Sequence, residues 1–135
     1  MQKNYFKSIH LNEYALSLIV KRKLDKKYLL TVYRRLGNDY NDIVRNNIPF
    51  SIPKKSCYEL GLNNYKKEAS LLFEDKNPNN TKIALNYITT AMLSRTVESK
   101  DKIIKLYSDA LKALIVSNFK ELFFGTALPV TNLSK

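Results

Sequence analysis

An all-α fold, a single-domain bundle of five or six helices over residues 1–135, is predicted by three observations on the chain. Two stretches, 26–36 and 99–124, repeat apolar residues at the 3.6-residue period of a helix. LNEYALSLIVKR, residues 11–22, contains the helix formers Ala, Leu and Glu and no breaker. Prolines and turn residues gather between such stretches, in IPFSIPKK at 48–55 and DKNPNN at 75–80. A chain of 135 residues suits one domain and is long enough to bury a core without staples.

The elements follow in order. Residues 11–22 read as a helix that Asn12 caps, apolar on nearly every face and so packed against several neighbours. A continuous helix from there to residue 36 would put Lys21 and Asp25 on the face of Leu18, Leu29 and Val32. A break near Lys23 avoids that, with Asp25 as the N-cap of a second helix. Its apolar residues Tyr28, Leu29, Val32, Tyr33 and Leu36 then form one stripe, which places both tyrosines in the core, and Gly37 is the expected stop. A short helix from Asp39 to Asn46 turns Ile43 and Val44 inward. Pro49 and Pro53 make 48–55 an extended connector. Ser56 caps a helix through Phe73, with Gly61 and Asn63–Asn64 as candidate interruptions. After the turn at 75–80, one helix runs to about Thr96 and the last from Ser99 to Phe124, an antiparallel pair, with Gly125 ending it.

The net charge is +11, from 23 Lys and Arg against 12 Asp and Glu. Such an excess attracts polyanions, of which nucleic acid is the commonest inside cells. The 18 Lys and 14 Asn, with Ile and Tyr, are also what an A/T-rich genome encodes, so codon usage accounts for part of the excess. It does not account for clustering: residues 1–36 carry +7, residues 37–79 carry 0 and residues 80–135 carry +4. The densest stretch is KRKLDKK at 21–27, five cations in seven positions.

Several chemistries find no support in the residues. His10 and Cys57 are the only histidine and the only cysteine, so His10–Cys57 is the one couple available for nucleophilic catalysis. No Cys or His spacing suits zinc, and Asp39 with Asp42 reads more simply as an acidic helix start than as a metal nuclease pair. Three glycines cannot build a phosphate-cradling loop. No cofactor and no metal are therefore expected, and no enzymatic activity. With one cysteine and no apolar run near the about 20 residues of a membrane span, an intracellular, cytoplasmic protein without a membrane partner is expected.

Two candidate binding regions remain. Lys21, Arg22, Lys23, Lys26, Lys27, Arg34 and Arg35 lie within fifteen residues and form the candidate nucleic-acid-binding set, for DNA or RNA, alone or as a small subunit of a nucleoprotein assembly. A helix-turn-helix around Gly37 would present Asn41, Arg45 and Asn46 to a groove, but Asp39 and Asp42 would then face phosphate, and Tyr33 stands where a small residue is needed. The alternative function is a protein-interaction module or inhibitor that docks an acidic or apolar partner surface. Its candidate residues are Phe119, Phe123 and Phe124, too many phenylalanines for one narrow core stripe.

Overall fold

The computed structural model describes the backbone of residues 3–123 and the side chains as far as Val116. Within that part the fold is all-α, with five helices: α1 Tyr5–Lys21, α2 Lys26–Arg45, α3 Lys54–Phe73, α4 Asn80–Ser94 and α5 Lys100–Phe123. α2 is central and touches α1, α3 and α4, whereas α5 packs chiefly on α4. None of the described helices is long and apolar enough to cross a membrane.

The helix ends follow local chemistry. Asn4 caps α1 by accepting from the Lys7 amide at 3.0 Å, a full turn and more before the expected start, and Asn12 instead donates to the Ser8 carbonyl. The break near Lys23 is present. Lys23 adopts a left-handed φ of 50°, and the Leu24 and Lys23 amides return to the Ile19 and Val20 carbonyls at 3.0 and 3.3 Å. That pattern is a Schellman ending, which satisfies orphan carbonyls. Asp25 then caps α2 by accepting from the Lys27 amide at 2.9 Å. A second left-handed residue, Asn47 at φ 51°, follows the end of α2. α3 starts directly after Pro53, so Ser56 lies inside it and is not its cap. Asn79 caps α4 through the Lys82 amide, and Ser99 accepts from the Lys102 amide at the start of α5.

Gly37 is not a stop. α2 continues past it for two more turns, absorbing the short helix expected at 39–46, and the helix-turn-helix reading falls with it. The reason is packing. A Cβ on Gly37 would sit 2.5 Å from Cε1 of Tyr65, a ring on α3 that is 0% exposed. Gly61, expected to interrupt α3, forms the reciprocal notch, its missing Cβ facing Tyr40 Cβ at 3.0 Å and Leu93 at 3.1 Å. Each glycine costs helix propensity, but each lets a large side chain of the facing helix seat against backbone.

The core joins Ile9 and Ile19 of α1, Val32, Leu36, Ile43 and Val44 of α2, and Cys57, Tyr58 and Tyr65 of α3, with Leu93 from α4. Tyr33 is half-buried beneath Lys67, whose Nζ lies 5.6 Å from the ring centroid. Tyr28 departs from the expected core stripe and is 47% exposed, its ring beneath the Lys27 ammonium rather than in the core.

Gly37→Ala tests the notch. Overpacking against an immobile ring outweighs the helix-propensity gain of alanine, giving an expected net loss of about 1–2 kcal/mol by denaturant unfolding. The buried phenols set a second expectation. Burial first, then the Glu13 charge, pushes Tyr40 up to about 12, and burial also raises Tyr58 and Tyr65. The neutral phenols favour the folded state fully below the ordinary tyrosine pKa of about 10, and that contribution fades as pH rises further, because the unfolded chain ionises first. The guanidinium midpoint is expected to drop between pH about 10 and 12, and less steeply in Tyr40→Phe.

Candidate nucleic-acid interface

The Schellman turn at Lys23 decides where the basic stretch goes. It ends α1 and reverses the chain into α2, leaving Lys21, Arg22 and Lys23 exposed at the α1–α2 corner. Asp25, the carboxylate within the stretch, is engaged in capping α2.

Two of the seven candidate cations are held by carboxylates. Lys26 reaches across to the end of α3, with Nζ 3.0 Å from Asp75 and 3.6 Å from Glu74. The hydrogen bond to Asp75 raises its pKa. Arg34 turns inward. Its guanidinium forms a two-pronged pair with Glu68, with Nε to Oε2 at 2.8 Å, while Nη1 donates to Thr89 Oγ1 at 2.9 Å. The same group lies 5.0 Å from the centroid of the Tyr65 ring. Glu68 is buried, and Asn86 Nδ2 donates to it at 2.7 Å.

The other five are exposed, and among the described residues none of them forms an ion pair. Lys27 stands over the Tyr28 ring at 5.2 Å and borders a cleft between α2, α3 and α4. Arg35 borders a shallow groove between α1 and α2, together with Lys3 and Asn12. Lys82, from the first turn of α4, was not singled out by the sequence and faces the same cleft as Lys27. No local signal marks it: only the packing of α4 on α2 brings the two lysines to one cleft.

The two carboxylates considered as a metal pair, Asp39 and Asp42, have structural partners instead. Asp39 is buried, with Lys3 Nζ at 2.6 Å and Ser8 Oγ donating to it at 2.6 Å, and Asp42 accepts from the Tyr5 hydroxyl at 3.2 Å. The Asp39–Asp42 pair thus fastens the first turn of α1 onto α2. The Asp39 hydrogen bond raises the Lys3 pKa. His10 is exposed on α1, whereas Cys57 is sealed in the core and burial raises its thiol pKa.

Phe119, Phe123 and Phe124 lie outside the residues whose side chains are described. The part of α5 before them carries the exposed apolar residues Ile104, Leu111 and Ile115 along one stripe.

No family model matches the chain, and no curated protein or solved structure does either.

The two held cations are expected to differ sharply on removal. Arg34→Ala leaves Glu68 as an uncompensated buried charge and is expected to cost about 3–5 kcal/mol. Lys26→Ala breaks a pair whose carboxylates, Glu74 and Asp75, stand in solvent, and is expected to leave the unfolding midpoint nearly unchanged. Equilibrium urea unfolding of the two variants checks the contrast.

Proposed function

We propose that the protein is a non-enzymatic binder of nucleic acid, DNA or RNA, acting alone or as a small subunit of a nucleoprotein assembly. Lys21, Arg22, Lys23, Lys27 and Arg35 are its phosphate contacts. The observation that carries this reading is that these five cations are exposed while no described carboxylate pairs with any of them. An unneutralised cation releases counterions when it meets a phosphate, and that release is the main sequence-independent term in nucleic-acid affinity. Lys26 and Arg34 drop out of the contact set, since each is already held by carboxylates of α3 or the turn that follows it. The single, buried Cys57 is in keeping with an intracellular, cytoplasmic setting.

A second reading is favoured by the apolar stripe of α5, where Leu111 is 59% exposed. It would serve docking to a protein partner, with the basic surface steering the approach of an acidic one.

Salt titration of binding separates the two. With five phosphate contacts, log K against log salt is expected to fall with a slope of about −3.5 on single strands and about −4.5 on duplex. Changing Lys21, Arg22, Lys23, Lys27 and Arg35 together to Ala is expected to flatten the slope towards zero. Absence of low-salt binding by the wild type, or an unchanged slope in the variant, overturns the nucleic-acid reading in favour of the protein-docking one.

A further inference from the structure

We propose that the cleft between α2, α3 and α4 is a nucleobase site, which takes one unstacked base of a single strand while Lys27 and Lys82 hold the flanking phosphates. The inference rests on the nucleic-acid reading above and adds strand preference to it.

The cleft has a volume of about 250 Å³, below the usual range of small-molecule and cofactor pockets, which starts at about 300 Å³. Leu30, Leu72 and Leu85 line it with apolar surface, of the kind that packs against the faces of an unstacked base. Lys27 and Lys82 are exposed where it opens, and neither pairs with a described carboxylate. Both lie in the first turns of their helices, where the helix dipoles add positive potential. The occupant is therefore anionic at its edges and flat and apolar at its centre.

The buried part of the cleft distinguishes a base from an acidic peptide. It is formed by Arg34 and Glu68, a paired guanidinium and carboxylate, of which Glu68 is 6% exposed. A leucine or phenylalanine side chain pressed onto that pair would strip its water and return no hydrogen bond. A base edge presents ring acceptors and exocyclic donors to the same two groups. Continuity of charge favours the same occupant. Lys27 belongs both to the cleft and to the basic segment that begins at the α1–α2 corner, so a strand with a phosphate at every nucleotide can follow the cations from Lys21–Lys23 into the cleft. In a duplex the bases are stacked and paired, and none enters.

The test uses the full chain, a labelled single-stranded DNA oligonucleotide, the same sequence as duplex, and a Leu/Glu amphipathic peptide. Leu85→Gln replaces an apolar wall of the cleft by a neutral polar one at an exposed position (Leu85 is 48% exposed) and leaves the fold intact. Wild type is expected to favour the single strand. Leu85→Gln is expected to weaken single-strand binding about fivefold and to leave duplex binding unchanged. Lys82 is then a sixth contact on the single strand alone, which steepens the wild-type slope there to about −4.2, and Lys82→Ala, a second variant independent of shape, is expected to return it to about −3.5. Wild-type behaviour of both variants on the single strand, while the five-alanine variant still loses binding, overturns the base site and leaves the broader reading standing. Tight binding of the peptide, lost in Leu85→Gln with no change on nucleic acid, overturns the base site in favour of a protein ligand. Failure of the wild type to bind either nucleic acid overturns both.

Discussion

The Tyr65 ring sits in the notch that Gly37 leaves in α2, and most of the polar interior follows from that contact. A phenol buried to 0% exposure needs partners for its hydroxyl. Tyr65 donates to Asn38 Oδ1 at 2.7 Å and accepts from Asn41 Nδ2 at 3.0 Å, both on α2. Arg34 lies against its ring, and a half-buried guanidinium calls for an anion, which Glu68 supplies one turn along α3. Asn86 of α4 donates to Glu68 and to the Tyr65 carbonyl, so three helices are registered by one connected set of groups. Buried ion pairs contribute little net stability against apolar replacements; their clearer effect here is to disfavour other registers, since any slip would orphan several charged or polar groups together. Asn41 Oδ1 is the one buried side-chain nitrogen or oxygen among the described residues left without a hydrogen-bond partner.

That interior determines which charges remain outside. Arg34 is close in sequence to Arg35 and chemically alike, yet one is committed to the core and the other faces water. Their roughly 100° separation around the helix puts Glu68 within reach of Arg34 alone. The α1–α2 corner behaves differently. The Schellman ending satisfies its carbonyls through backbone bonds, so Lys21, Arg22 and Lys23 are not needed as structural partners. Placing a lysine in the left-handed region at Lys23, where glycine is the usual residue, carries a strain of about 1 kcal/mol. The chain tolerates that strain and retains a cation where a neutral residue would stabilise the turn better.

The molecule has two kinds of unsatisfied surface, and they belong to different parts of the fold. Of the free cations, Lys27 and Arg35 stand on α2, the most heavily packed helix, and Lys21, Arg22 and Lys23 at the corner where α1 turns into it. The apolar stripe is on α5, which packs chiefly on α4. A rigid charged surface loses little entropy on meeting a polyanion, whereas an apolar helix face held by one neighbour gains the most from a second. These two surfaces underlie the two functional readings.

Much of the architecture was legible in the chain because it depends on short-range chemistry. The break at Lys23 is set by backbone bonds to the preceding turn, and the starts of α2 and α4 by the Asp25 and Asn79 side chains bonding amides two or three residues away. The basic segment was equally plain from composition. Gly37 misled because a glycine after an apolar stripe has the pattern of a helix end, and only Tyr65, far along the chain, makes it a packing notch. Tyr28 misled because periodicity gives the face a residue points to but not whether a neighbour covers it. The separation of Arg34 and Lys26 from the free cations, and the pairing of Lys27 with Lys82 at one cleft, likewise came only with tertiary structure. Local hydrogen bonds select their partners from adjacent residues, but burial and charge pairing select from the whole chain, so the sequence determined the helices and their basic character, while the packing of α3 and α4 on α2 decided which charges meet solvent.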